Sequence, residues 1–344
     1  MVLSVAVDAR SLQRRPWGGV GRGMAHVLGE LTEVLDLHLL TASERPPAAI
    51  PGTAEHAFAT PWPGHESVWL QRRVPPYLKT FAGVFHCPWY ALPFRQPVSM
   101  VTTLHDLTFE HFRPWFRRGQ GAAYRYQARY AARTAKVIVT PSRFVADDII
   151  ATYGVDPKRI VVAPWGIDPV FSVANEDSPN QRPYLVAIGG AARRGADIAI
   201  AAWRSVADRM DLVVIGESET DPEPGLSHAS PADEEWARIL AGAFALIYPT
   251  RYEGFGMPAM EAIAAGTPVL CAPVGSLPEV LGHAAEWTQG LTARDFAEAL
   301  NRLLTNPQRY AELREAGLAH AARQPGWADV AEVYFGAYMR AAEA

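Results

Sequence analysis

Short apolar, β-branched runs alternate with stretches of helical periodicity along the whole chain. Runs at 3–7, 37–40, 84–86, 99–104, 136–140 and 160–163 read as strands, and a second set follows at 184–189, 212–215, 245–248 and 268–271. Several are apolar at successive positions, as strands buried on both faces of a parallel sheet must be. Strands alternating with helices predict βαβ units. The two sets are parted by a polar, proline-containing run at 164–183, where a linker is expected. The last helical stretch, from Trp327 to about residue 342, places Val330, Val333, Tyr334, Ala337 and Tyr338 at helical spacing. The expected architecture is α/β, with two Rossmann-like, doubly wound domains over 1–168 and 169–325 facing a cleft. The helix over 326–344 is expected to cross back onto the first domain.

A chain of 344 residues suits two domains of ordinary size. Its 49% hydrophobic and 20% charged residues are those of a globular protein. No run approaches the roughly 18 apolar residues of a membrane span, and the strand pattern at 3–7 has no basic leader before it. Cys87 and Cys271 cannot build a disulfide framework, and no Cys/His spacing resembles a zinc site. A cytoplasmic protein is the expectation. The net charge of -4 conceals an asymmetry: residues 1–170 carry 19 Lys+Arg against 13 Asp+Glu, and residues 171–344 carry 13 against 23. Two halves of opposite charge fit two domains with different partners.

The strongest chemical signal lies between Tyr248 and Pro268. A strand ends at Tyr248, a glycine-rich turn follows, and Pro258 stands where a helix should begin. Such a turn offers the backbone amides of Phe255, Gly256 and Met257 at a helix N-terminus, which is an anion site. Gly254 and Gly256 let a ligand approach the backbone closely. Glu253 and Glu261 frame the turn, and a carboxylate can accept from two vicinal hydroxyls at once. Taken singly, Glu261 also reads as a first-turn glutamate complementing the helix dipole, and Glu253 as a solvated loop carboxylate.

The Glu-x7-Glu spacing, with Gly-Phe-Gly-x-Pro inside it and Ala-Gly-Thr-Pro-Val after it, resembles the retaining GT-B glycosyltransferases of family 4, over nearly the whole chain. The resemblance implies a GT-B fold in which Glu261 holds the ribose hydroxyls of a nucleotide. Glu253 and the amides of Gly254, Phe255, Gly256 and Met257 would hold the transferred sugar. It also implies a basic pair that neutralises the donor diphosphate. Arg193 and Arg194 occupy that position, in a loop one residue shorter than usual, so which arginine acts stays open; the pair also reads as solvated loop arginines. Gly18 and Gly19 resemble the family's loop that approaches the donor phosphate across the cleft, and otherwise read as a flexible turn. His105, in a Leu-His-Asp pattern, is placed beside the transferred sugar by the same resemblance, with Asp106 orienting its ring. The plainer reading there is a capping Asp beside a satisfied His. Ser142 reads as a helix N-cap, and Gly166 and Asp168 as hinge chemistry.

Residues 112–136 interleave seven basic side chains with Trp115, Phe116, Tyr124, Tyr126 and Tyr130. The stretch reads either as a solvated helix with a buried aromatic edge or as a peripheral contact with anionic lipid at the inner membrane face. Nucleic acid is not expected as a partner, because the basic residues are local and the net charge is negative. The segment 216–235 looks short of the helix and strand that usually help enclose a nucleotide base, leaving only a run rich in prolines and acids.

The expected function is retaining transfer of a hexosyl group from GDP-mannose or a UDP-hexose to a glycan, glycolipid or small-molecule acceptor, catalysed through His105, Glu253 and Arg194. No Asp-x-Asp occurs, so neither metal nor other cofactor is expected. The alternatives are a non-catalytic sugar-nucleotide sensor and an enzyme using NAD or a hexulose phosphate. NAD is disfavoured because a G-x-G-x-x-G frame opening at Gly19 ends on Met24.

Overall fold

In the computed structural model, described over residues 2–13, 19–42, 50–58, 66–172, 182–216 and 223–343, the apolar runs become strands of two parallel sheets. The chain divides into two compact units, Met1–Gly166 with Pro325–Ala344, and Ile167–Gln324.

The first unit carries seven strands: β1 (Ser4–Asp8), β2 (Asp36–Thr41), β3 (Ala54–Ala57), β4 (Val84–Cys87), β5 (Ser99–Thr103), β6 (Val137–Thr140) and β7 (Ile160–Val162). Their order is β3-β2-β1-β4-β5-β6-β7, all parallel. The chain turns outward in both directions from between β1 and β4, the point where such sheets open a crevice. The second unit carries β8 (Tyr184–Ile188), β9 (Asp211–Ile215), β10 (Leu226–Ala229), β11 (Ala245–Tyr248), β12 (Val269–Cys271) and β13 (Ala285–Trp287). Their order is β10-β9-β8-β11-β12-β13, again all parallel, with the reversal between β8 and β11.

The apolar pattern did not reveal β3, β10 and β13, and all three are sheet edges. An edge strand is covered on one side only, so β3 and β10 can carry the exposed Glu55 and Ser227, while buried Glu286 on β13 is held by Arg302 and Arg309. β10 corrects the expectation for 216–235: the segment does carry a strand, paired in parallel with β9.

The helix Trp327–Glu343 belongs to the first unit. It lies against the helix Gly19–Leu31 and against β4, β5 and β6. Fully buried His86 on β4 fixes its place: Nε2 bonds Thr103 Oγ1 at 2.9 Å and Nδ1 bonds Tyr338 Oη at 2.8 Å. Tyr334 Oη lies 3.4 Å from Thr103 Oγ1. Burial pulls the His86 imidazole down to about 3, so the network operates with a neutral ring. At the head of the same helix, Trp327 stacks on His26 with ring centres 4.7 Å apart and meets Trp165 edge-on at 5.8 Å.

Among the described residues, no helix is long and apolar enough to cross a membrane.

Candidate functional site

In the second unit the reversal between β8 and β11 brings together two loops that are some sixty residues apart in sequence. The loop after β8 ends in the 3-10 turn Ala192–Arg194, and the loop after β11 leads into the helix Met257–Ala264. They are fastened backbone to backbone, Arg251 N donating to Arg193 O at 2.7 Å. Contact is close enough that only glycine fits at 195: its φ is +69°, and an added Cβ would lie 2.4 Å from Pro249 O.

Glu253 sits at this junction, 8% exposed. Its Oε1 accepts from Arg193 Nη1 at 2.5 Å and Tyr248 Oη at 2.7 Å, and Thr250 Oγ1 lies 3.2 Å away. Among the described residues Oε2 accepts from no group. One oxygen therefore anchors the carboxylate and the other is open to a ligand hydroxyl. Burial, and then the charge of Glu253, push the Tyr248 phenol well above its ordinary value, so it remains a protonated donor. The two arginines divide: Arg193 Nη1 also reaches Tyr252 O at 3.2 Å, whereas Arg194 Nη1 donates to Gly189 O at 3.1 Å.

Gly256 takes φ +93° ahead of the helix, and a Cβ there would come within 2.5 Å of Leu277 Cδ2. The amides of Phe255, Gly256 and Met257 donate to no acceptor among the described residues. They are unsatisfied donors at the positive end of a helix, the expected anion site. One turn further, Glu261 is 2% exposed. A buried carboxylate needs partners, and Glu261 Oε2 accepts from the Trp236 indole at 2.7 Å. Trp236 lies on the helix Asp233–Ala241, 25 residues away in sequence. Both glutamates are thus held by specific side chains, and neither is a solvated surface carboxylate.

In the first unit, His105 follows β5. Its Nε2 donates to Pro88 O at 2.9 Å, and its Nδ1 is buried without a partner among the described residues. Burial lowers the imidazole from its ordinary value, so the ring is neutral with Nδ1 as a free acceptor. The ring stacks on Trp165 at 5.5 Å and meets Trp89 edge-on at 6.4 Å. Asp106 does not orient it: Asp106 Oδ1 accepts from Thr108 N at 2.9 Å as a local cap. The ring is positioned instead by Pro88 O and Trp165. Gly19 opens the helix Gly19–Leu31, and Gly18 lies outside the described residues. Ser142 caps its helix through Val145 N at 3.2 Å.

The family model for Glycosyltransferase Family 4 matches residues 17–171, and that for Glycosyl transferases group 1 matches residues 172–320. The chain belongs to the group 1 glycosyl transferases and has their GT-B fold. It is 29% identical over 246 residues to the MMP alpha-(1->4)-mannosyltransferase of Mycolicibacterium hassiacum, covering 67% of this chain and 59% of that protein. It is 28% identical over 278 residues to the alpha-maltose-1-phosphate synthase of Mycolicibacterium smegmatis, covering 68% and 71%. Among solved structures, the sucrose-phosphate synthase of Thermosynechococcus elongatus superposes with a TM-score of 0.78 at 16% identity, covering 98% of both chains. The Anabaena HepE structure in complex with UDP and glucose superposes with 0.72 at 14%, covering 98% of this chain and 99% of that one.

Within this family member, the sequence reading missed the side chains that hold its glutamates. Tyr248 and Thr250 stand inside the quoted segment, but only the strand-to-loop geometry shows them turning onto Glu253. Trp236 carries no local signal at all. The stretch 112–136 is mostly the plainer of its two readings: Phe116, Tyr124 and Tyr130 pack on the core, and Arg129 pairs with Glu110 at 3.1 Å. Tyr126, 63% exposed, is the aromatic that faces out, edge-on to Phe94 at 6.0 Å.

Proposed function

We propose that this chain transfers a hexosyl group from a nucleoside-diphosphate sugar, GDP-mannose or a UDP-hexose, to a glycan, glycolipid or small-molecule acceptor, with retention of anomeric configuration and without a metal. The observation that carries the reading is the triple of Glu253, the unsatisfied amides of 255–257 and Glu261, set beside Arg193 and Arg194 at one switch point. The relatives' names, a mannosyltransferase and a maltose-1-phosphate synthase, and the neighbour solved with UDP and glucose support it.

In this reading Glu261 accepts from the ribose hydroxyls and Glu253 Oε2 from a hydroxyl of the transferred sugar. Arg194 and Arg193 compensate the charge that gathers on the departing diphosphate, with the helix amides adding to the field. Arg193 is tied to Glu253, so binding diphosphate there would also tune the sugar-binding carboxylate. His105, neutral and with its N–H committed to Pro88 O, offers Nδ1 to a substrate hydroxyl. Glu253 and Glu261 are both given to holding substrate hydroxyls in this reading, which favours front-face attack.

The test is turnover over a panel of UDP-hexoses and GDP-mannose with excess EDTA present, following nucleoside diphosphate release and the product's anomeric proton by NMR. Release with the donor's anomeric configuration is expected. Binding without consumption would leave a sugar-nucleotide sensor, and activity that returns only with added magnesium would overturn metal independence.

A further inference from the structure

A second charged feature of the first unit lies away from every residue assigned to transfer. β5, β6 and β7 run parallel, and His105 follows the carboxyl end of β5. At the opposite end, where β6 and β7 begin, a cavity of about 470 Å³ opens. With four residues in β6 and a rise of about 3.3 Å per residue, the two ends stand roughly 13 Å apart.

Four segments of the chain converge on the cavity. Arg133 comes from the last turn of the helix Arg118–Thr134, and Lys136 from the step into β6. Arg159 ends the 3-10 turn before β7, and Arg340 lies near the end of the helix Trp327–Glu343. Four of its lining side chains are basic and none is acidic. Arg133 and Arg340 pair with no carboxylate among the described residues. Arg159 donates to Ala132 O at 2.8 Å and to Ala135 O, so its guanidinium covers the negative carbonyl end of that helix. Asp156 is the carboxylate whose charge reaches Arg159, and its Oδ1 already accepts from Lys158 N. Burial nonetheless pulls the Arg159 guanidinium below its ordinary value. Cations gathered around one cavity repel one another unless an anion lies among them.

We propose that the cavity formed by Arg133, Lys136, Arg159 and Arg340 is a phosphate-binding site separate from the donor site. Arginine forks match the oxygens of a phosphate in pairs, and Lys136 adds a further positive charge. The phosphate is either a free anion or the headgroup of an acidic lipid.

The experiment removes the two exposed arginines, as Arg133→Ser with Arg340→Ser, in a chain that also carries Arg193→Ser and Arg194→Ser so that the donor site is silent. Thermal unfolding is followed with inorganic phosphate against chloride at equal ionic strength, and vesicle sedimentation with phosphatidylglycerol/phosphatidylcholine against phosphatidylcholine alone. A free anion predicts a phosphate-dependent rise in Tm that is lost with Arg133 and Arg340, with vesicle partition unchanged. A lipid headgroup predicts partition onto phosphatidylglycerol that falls roughly thirtyfold. Arg133→Lys with Arg340→Lys, which keeps the charge and the fold, should retain most of either response. If the serine chain matches its parent in both assays, or if neither chain responds to phosphate or acidic vesicles, the proposal is overturned.

Discussion

Glu253 shows how a carboxylate becomes a site. Three donors crowd one oxygen, which fixes the rotamer and leaves Oε2 for a ligand. Glu261 is held as well, its Oε2 accepting from the Trp236 indole. That bond yields a sharp prediction. Trp236→Phe keeps the ring and removes the N–H, so the buried carboxylate loses a charge-assisted bond of about 1.5–3 kcal/mol. We expect the donor KM to rise by roughly tenfold or more while kcat changes little and far-UV CD is retained. An unchanged donor KM would remove Trp236 from the positioning of Glu261. The glutamates, the glycines and the arginine pair were legible in the sequence because their chemistry is local. Glu253, the glycines and Glu261 lie along one stretch of chain, and the two arginines are adjacent in another. Trp236, Tyr248 and Thr250 were not legible as partners, because pairing across a packed interior leaves no trace in linear spacing.

Secondary-structure elements tell a parallel story in the first unit. The helix Trp327–Glu343 is held from inside by the His86–Tyr338 bond and at its head by the stack of His26, Trp327 and Trp165. His86 titrates near 3 when folded and near 6.5 when unfolded, so the unfolded chain takes up the proton first as pH falls. Its contribution is full above about pH 6.5 and is lost on acidification, about 2 kcal/mol between pH 7.5 and pH 5. Urea unfolding of the wild type against His86→Gln should show that difference in slope, and equal slopes would contradict a neutral buried His86. Gly23 belongs to the same assembly: an added Cβ would lie 2.0 Å from the Trp165 ring. Gly23→Ala must therefore displace the ring on which His105 stacks, costing about 1–3 kcal/mol of stability by overpacking. Turnover should fall with donor affinity kept, and a variant equal to the wild type in Tm and kcat would contradict that coupling. Inner strands were legible because both faces are apolar. The edges β3, β10 and β13 were not, since a strand covered on one side needs no such pattern.

At the scale of the whole molecule, two sets of βαβ units gave two parallel sheets, and the second reverses where the loops carrying Arg193 and Glu253 meet. The charge asymmetry between the halves acquires a meaning within each unit. The acidic second unit gathers its arginines Arg193 and Arg194 at the switch point. The basic first unit gathers Arg133, Lys136, Arg159 and Arg340 at the far end of its sheet. What composition could not indicate was where those charges converge, because that depends on which strand ends the topology makes neighbours. The central claim is that the second unit's switch point grips a nucleoside-diphosphate sugar through Glu261. Its most direct test is calorimetric titration of UDP-glucose and of GDP-mannose into the wild type and into folded Glu261→Ala. One donor should bind the wild type and bind the variant at least tenfold more weakly. Equal affinity for the two proteins, or no binding of any nucleotide sugar to the wild type, would contradict it.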